Sequence, residues 1–210
     1  SRGLGDVYKR QIMSSDVKNT GRRRFLTTAT SVVGVAGVVG IAVPFVGSWN
    51  PSAKAKAAGA PVRFDFSKVE PGQLVRVEWR GQPVFVVRRT QDQLDGLAAI
   101  NPELKDADSA NVDQQPTYVS KEDRAINSEY LVLVGLCTHL GCSPKYITKL
   151  DAAAPAPDWQ GGFFCACHGS RFDMAGRVYK GSPASDNLKV PPYSFESDRV
   201  MVIGIDGEIA

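Results

Sequence analysis

The residues of this chain that could bind a metal are concentrated in two hexapeptides. The first is Cys137–Cys142 (CTHLGC) and the second is Cys165–Ser170 (CACHGS). Together they contain all 4 cysteines and both of the 2 histidines in the 210 residues. Thiolate sulfur and imidazole nitrogen are ligands of zinc and of iron–sulfur clusters. The distribution therefore predicts one centre that uses both residue types.

Four kinds of site could use these residues. Two disulfides would use the cysteines and leave the paired histidines unexplained. Structural zinc sites usually pair Cys with Cys and His with His at close spacing, whereas each hexapeptide offers a mixture. A c-type haem needs Cys-x-x-Cys-His, and Cys165–His168 is one residue too short. A [2Fe–2S] cluster held by two thiolates and two imidazoles fits both halves, and a zinc module stays as the alternative.

The two hexapeptides resemble the cluster-binding boxes of the Rieske iron–sulfur proteins. The resemblance is closest to the Rieske subunit of the quinol–cytochrome c reductase (cytochrome bc) complex. It implies one [2Fe–2S] cluster with two thiolate and two imidazole ligands, namely Cys137, Cys165, His139 and His168. The family commonly has proline where this chain has Ala166, and we expect that change to be mild.

Other residues receive roles from the same resemblance. A disulfide would join Cys142 to Cys167. His168 and His139 would meet the quinol and accept its proton. The Ser170 hydroxyl would donate to a bridging sulfide. The residues that would frame the exposed edge of the cluster are Leu140, Gly141, Gly181 and Pro183.

Phe172 departs from the family pattern, which commonly has tyrosine there. In the family, that tyrosine donates its hydroxyl to the sulfur of the first cysteine ligand. Donors to sulfur stabilise the reduced cluster and raise its potential. Because phenylalanine has no hydroxyl, we expect a potential in the lower part of the range for this subunit type. The alternative is that Phe172 is ordinary core packing.

The mixed ligand set explains what such a centre does. Neutral imidazole donates less negative charge than thiolate, so the cluster is easier to reduce than an all-cysteine one. Each imidazole also keeps its other nitrogen free. If that nitrogen faces solvent, it can take up a proton when the iron is reduced. An electron and a proton can then be accepted together, as oxidation of a hydroquinone requires.

The N-terminal part predicts a membrane anchor. Residues 1–12 include Asp6–Gln11, which resembles a translated sequencing adapter, so we expect a non-native leader and a start at Met13. Residues 13–26 are expected in the cytoplasm, and Arg22–Leu26 resembles a twin-arginine export signal. Arginines before an ordinary positive-inside anchor are the alternative. Residues 27–49 are uncharged and long enough to span a membrane, without cleavage.

Residues 50–60 are small and polar and predict a flexible tether, and residues 61–210 predict a single head domain. Alternation and apolar runs predict antiparallel strands, a helix over residues 91–100 and a turn at residues 81–83. Two of these strands lead directly into the ligand boxes. The predicted strand segments are 62–66, 74–79, 84–88, 130–134, 162–164 and a pair within 193–205.

We therefore predict a mostly β protein: an antiparallel Rieske-type β-sandwich head with a cluster-binding subdomain, after one transmembrane helix and a tether. The resemblance implies a subunit of quinol–cytochrome c reductase, a translocase, in a dimeric complex with cytochrome b and a membrane-bound c-type cytochrome. It implies a bacterial cytoplasmic membrane, with the head on the periplasmic side. A net charge of +3 without a basic, aromatic patch argues against nucleic acid. The Rieske subunit of an arsenite oxidase is the alternative, and that family lacks the tract 101–116.

Overall fold

The computed structural model of the chain describes residues 19–205. Its internal contacts divide the chain into two units, with the boundary between Ser52 and Ala53. The expected leader over residues 1–12 and the first part of the expected cytoplasmic segment lie outside the described residues. The end of the head beyond residue 205 lies outside them as well.

The first unit contains helix α1, Thr20–Gly47. The Asn19 side chain caps its first turn by accepting a 3.1 Å hydrogen bond from the Arg22 N–H. The helix therefore begins before the predicted span and includes the arginines. Its 28 residues exceed the about 20 that a bilayer requires, and no charge follows Arg24 within it. Within the described residues, one N-terminal apolar helix is long enough to span a membrane.

A short helix, α2 (Ala53–Ala58), lies within the stretch expected to be a flexible tether. Four of its six residues are alanine and two are lysine, which are strong helix formers. The expectation rested on the absence of large apolar side chains, which excludes a buried segment but not a helix. An isolated helix of this length is marginal in water.

Up to residue 205, the head consists of three antiparallel sheets of three strands each, with orders β1-β9-β8, β2-β3-β4 and β5-β6-β7. This confirms the predicted fold class. Helix α3 is Gln91–Asp95, and single 3-10 turns occur at Asn101–Glu103 and Val112–Gln114. The strands are β1 Val62–Asp65, β2 Leu74–Trp79, β3 Gln82–Arg88, β4 Tyr130–Val134, β5 Lys145–Ile147, β6 Gly162–Cys165, β7 Ser170–Phe172, β8 Tyr193–Phe195 and β9 Val200–Ile203.

The β2–β3 hairpin was predicted, but its turn lies one residue earlier than expected. Arg80 and Gly81 form the two-residue connection, with φ angles of 53° and 70°. Positive φ at both positions is typical of hairpin turns whose twist matches that of the strands. Pro83 consequently lies in β3, opposite Glu78, where the sequence had suggested a turn.

One local prediction differs from the structure, and two features of the head were not predicted. Helix α3 ends at Asp95 instead of residue 100. Strands β5 and β7 were not predicted, because three residues are too few for a visible alternation. The pairing of β1 with β9 was also not predicted, since the two strands are separated by most of the head.

Candidate metal centre

Each ligand box forms a loop immediately after a strand. Strand β4 ends at Val134 shortly before Cys137, and β6 ends at Cys165 itself. The two loops close in the same way: the N–H of Gly141 donates to the Cys137 carbonyl, and that of Gly169 donates to the Cys165 carbonyl, both at 2.9 Å. The two glycines have φ angles of 80° and 81°, a conformation that favours glycine. The sheets thereby present two matching loops.

The first cysteine of each loop is a free, buried thiol. Cys137 and Cys165 are each 3% exposed, and their thiols interact with each other. Burial raises the pKa of the Cys165 thiol and the nearby Cys137 thiol adds to the shift, whereas the backbone amides of Cys167 and His168 oppose it. A metal ion bound to both sulfur atoms would stabilise the two thiolates, which burial disfavours.

The histidines lie at the outer side of the same loops. The ring centroids of His139 and His168 are 4.7 Å apart, and the rings are perpendicular. His168 is exposed and His139 is half-buried. Leu140, which follows His139, is 71% exposed. The structure thus places both imidazoles together at the surface, next to an exposed apolar side chain.

The second cysteines of the loops, Cys142 and Cys167, form a disulfide. This is the pairing that the resemblance implied. The sulfur atoms of Cys142, Cys165 and Cys167 all lie within 4.8 Å of one another. Because two of them are joined, they offer no thiolate, so the three do not form a zinc site. The disulfide instead ties the two loops together beside the Cys165 thiol.

The donor set fits a Rieske-type [2Fe–2S] cluster. Two buried free thiols would hold one iron, and two adjacent surface imidazoles would hold the other. The backbone amides of Cys167 and His168, which oppose the raised pKa of the Cys165 thiol, would also stabilise a thiolate ligand there. In residues 19–205 the two imidazoles are neighbours and the two free thiols lie in the same two loops, and the assignment of these four residues as ligands remains a prediction.

Two family models match this chain. The model described as "Rieske [2Fe-2S] domain" matches residues 62–192. The model described as "Ubiquitinol-cytochrome C reductase Fe-S subunit TAT signal" matches residues 12–52. The ubiquinol-cytochrome c reductase iron-sulfur subunit of Allochromatium vinosum is 52% identical over 194 residues, which cover 92% of this chain and 93% of that protein. This chain belongs to the Rieske subunits of ubiquinol–cytochrome c reductase.

Another Rieske subunit of the same name, from Blastochloris viridis, is 44% identical over 191 residues, covering 91% of this chain and 97% of that protein. Among solved structures, "Hyperthermophilic respiratory Complex III" matches with a TM-score of 0.44 and 22% identity, over 83% of this chain and 98% of that one. Membership of this family confirms the Rieske cofactor and the export signal. The arsenite oxidase alternative is not favoured.

Ser170, the predicted donor to a bridging sulfide, lies at the end of the second ligand box, and its role remains a prediction. It is 1% exposed and lies opposite Cys165 in the β6–β7 ladder. Its hydroxyl oxygen accepts a 3.0 Å hydrogen bond from the Ala184 N–H. That bond uses a lone pair of the oxygen and leaves the hydroxyl proton available for donation. The remaining candidates, Gly181 and Pro183, are exposed in the loop that precedes Ala184.

Phe172 is fully buried in the core cluster that also contains Cys137 and Cys165. Side chains alternate along a strand, so Phe172 lies on the same face of β7 as Ser170. Its partner in the ladder is Phe163, which is equally buried. Phe172 is therefore on the ligand side of this sheet, and its effect on the cluster remains a prediction.

We expect Phe172→Tyr to raise the midpoint potential of the Rieske subunit. One added donor to sulfur, differing by about 1–1.5 kcal/mol between oxidation states, corresponds to about 40–60 mV for one electron. Redox titration followed by electron paramagnetic resonance (EPR) measures the shift. Phe163→Tyr is the matched control, because it adds the same hydroxyl one strand away. No shift for Phe172→Tyr, or an equal shift for the control, would show that position 172 does not face a ligand sulfur.

Breaking the disulfide is expected to loosen both loops. Cys142→Ser should reduce the free energy of unfolding by about 2–5 kcal/mol, as for other small exported domains, and should lower the midpoint potential as well. The double variant Cys142→Ser/Cys167→Ser should cost no more than the single one, since both break the same bond. Denaturant unfolding and redox titration measure the two effects. Unchanged stability together with an unchanged potential would argue against a role for the bridge.

Proposed function

We propose that this Rieske subunit takes one electron from a quinol, at a site shared with cytochrome b, and passes it to a c-type cytochrome of the same complex. One observation carries the proposal. The two imidazoles lie 4.7 Å apart at the surface, whereas the two thiols are buried. The imidazoles are therefore the candidate ligands that a substrate can reach, and each has a second ring nitrogen that can hold a proton.

The bound cluster supplies a one-electron acceptor. His168, the more exposed ring, would bind the quinol by accepting a hydrogen bond from its hydroxyl at the outer ring nitrogen. His139, at right angles to it, would hold the second outer nitrogen at the same surface. The proton that leaves the quinol would stay on the imidazole until the head reaches water or its next partner. An electron and a proton therefore leave the quinol at one contact.

The surroundings of the rings suit docking against an apolar site. Leu140 and Gly141 lie in the first loop, and Gly181 and Pro183 lie in a second exposed segment. None of these four side chains carries a charge. Contact with cytochrome b would bury them and exclude water from the hydrogen bond between His168 and the quinol. The same tip would then meet the c-type cytochrome.

The anchor agrees with this role. Helix α1 would cross the bacterial cytoplasmic membrane once, with the arginines at its beginning on the cytoplasmic side. The head would then lie in the periplasm. A disulfide is stable in that oxidising compartment, and a twin-arginine route would deliver the head already folded around its cluster.

The test is a reconstitution. Membranes of a strain that lacks the gene are supplied with the full chain, and quinol-dependent reduction of cytochrome c is measured. We expect the chain to restore the activity, and to co-purify with cytochrome b and a c-type cytochrome. Arsenite-dependent electron transfer is measured in parallel. Restored arsenite oxidation without restored quinol oxidation would overturn the proposal.

A further inference from the structure

The segment Gly181–Ala184, here called the rim loop, exposes Gly181 and Pro183 and buries Ser182 and Ala184. One lysine holds it in place. The Lys105 ammonium donates hydrogen bonds to the carbonyls of Ser182 and Ala184, both at 2.7 Å. These two carbonyls lie on either side of Pro183. A cation that bridges two carbonyls makes charge-assisted hydrogen bonds, which are stronger than neutral ones. The lysine therefore holds the rim loop at the carbonyls of Ser182 and Ala184, before and after Pro183.

The same two residues of the rim loop are bonded to strand β7. The Ala184 N–H donates to the Ser170 hydroxyl at 3.0 Å, and the Ser182 hydroxyl accepts from the Arg171 N–H at 3.1 Å. The Lys105 ammonium thus binds the carbonyls of Ser182 and Ala184, and the Ser170 hydroxyl binds the Ala184 N–H. A displacement of the two carbonyls would therefore also move the Ala184 N–H and the hydroxyl that it holds.

Lys105 is itself well fixed. Its backbone N–H donates to the Val178 carbonyl at 2.9 Å, and the preceding residue, Leu104, forms an isolated antiparallel bridge with Tyr179. The Lys180 N–H donates to the Glu103 carbonyl at 2.8 Å. The backbone at Lys105 therefore runs beside the chain that leads into the rim loop. This arrangement was not predicted, because Lys105 lies in a polar tract that was predicted as a loop.

We propose that Lys105 is a positioning residue for the cluster. By clamping the rim loop it fixes the Ala184 amide, which orients the Ser170 hydroxyl so that its proton points toward a bridging sulfide. The inference rests on the role proposed for Ser170. It does not depend on the identity of the electron donor. Because Lys105 is exposed, we expect its removal to leave the core in place and to change the orientation of Ser170.

The test compares Lys105→Met with Lys180→Met in the full chain, purified in detergent with its cluster. Lys180 is a matched control because it is also exposed, and its ammonium donates at 2.7 Å to the Pro102 carbonyl, which joins the same two segments without touching the rim loop carbonyls. We expect Lys105→Met to reduce the equilibrium constant for cluster reduction about threefold, which is about 28 mV for one electron. The Ala184 amide should also exchange with solvent severalfold faster. The control should change neither quantity.

A double-variant cycle with Ser170→Ala distinguishes an effect of Lys105 through Ser170 from a direct effect of the lost positive charge on the potential. If Lys105 acts through Ser170, Lys105→Met should no longer shift the potential once Ser170 is alanine. An equal shift in both backgrounds would overturn the proposal, as would an equal effect of Lys180→Met. If Ser170→Ala alone left the midpoint potential unchanged, Lys105 could not act on the potential through Ser170, and the proposal would also be overturned. Failure of quinol oxidation in the reconstituted membranes would leave these measurements unaffected, so the two proposals fail separately.

Discussion

Replacing His168 with glutamine is expected to abolish the [2Fe–2S] signal and to reduce quinol-dependent cytochrome c reduction by a hundredfold or more. Loss of a residue that merely orients a metal ligand costs about 10–100-fold, and a lost ligand should cost more. His168 is exposed at the tip of its loop, so the substitution removes an imidazole without opening the core. EPR of the reduced protein and the membrane assay measure the two effects.

Leu140→Gln is the matched control for that experiment. Leu140 lies in the equivalent loop and is 71% exposed, so glutamine there adds polarity without removing a ligand. It should keep the EPR signal and the midpoint potential, yet slow quinol oxidation by weakening apolar docking. If His168→Gln retained a full cluster signal, the assignment of His168 as a ligand would be wrong.

The second large effect concerns stability. Asp173 and Arg177 form an ion pair at 2.7 Å in which both side chains are buried, with 0% and 2% exposed. The Asp173 carboxylate also accepts hydrogen bonds from the backbone N–H groups of Ala175 and Arg177, at 2.9 and 2.7 Å. Removal of one partner leaves an uncompensated buried charge. We expect Asp173→Asn to reduce the free energy of unfolding by about 3–5 kcal/mol.

Two further buried arginines increase the importance of that carboxylate. Burial lowers the pKa of Arg89 and of Arg124 to about 10, and the charge of Asp173 opposes both shifts. In the described part of the chain, Asp173 is the only buried carboxylate. Arg124 and Arg89 also donate to carbonyls of the turn after β7, at Ala175 and Met174. Asp173 thus helps to hold the turn that follows the Ser170 strand.

Glu196→Gln provides the control for this prediction. It breaks an ion pair with Arg63 in which both side chains are exposed, and such pairs contribute about 0–1 kcal/mol. Urea unfolding of both variants gives the comparison. A loss of less than about 1 kcal/mol for Asp173→Asn would mean that the buried network does not depend on its carboxylate.

The Rieske domain and its [2Fe–2S] cofactor were the most predictable features of the molecule. Cysteine and histidine occur nowhere else in the chain, and their spacing matched one known family. Strand β4 was predicted with its correct bounds, because five consecutive apolar residues lead directly into the first ligand loop. The family models confirm the Rieske domain and the export signal to which these patterns pointed.

The parts that were not predicted depend on distant contacts. Strand β7 has three residues and becomes recognisable only through its pairing with β6. Lys105 looks like any lysine in a polar loop, and its two carbonyl partners are 77 and 79 residues away. The buried arginines were missed for the same reason, since burial of a charge is decided by groups far along the sequence. Local patterns indicate candidate ligands and the longer strands, whereas contacts between residues far apart in the sequence are visible only in the structure.

The central claim is that the centre accepts an electron and a proton together through solvent-facing imidazoles. The most direct measurement is a redox titration of the full chain in detergent, from pH 6 to pH 10, followed by EPR of the reduced cluster. We expect the midpoint potential to fall as the pH rises, approaching about 59 mV per pH unit where one proton accompanies one electron. A midpoint that stayed constant across this range would contradict the claim.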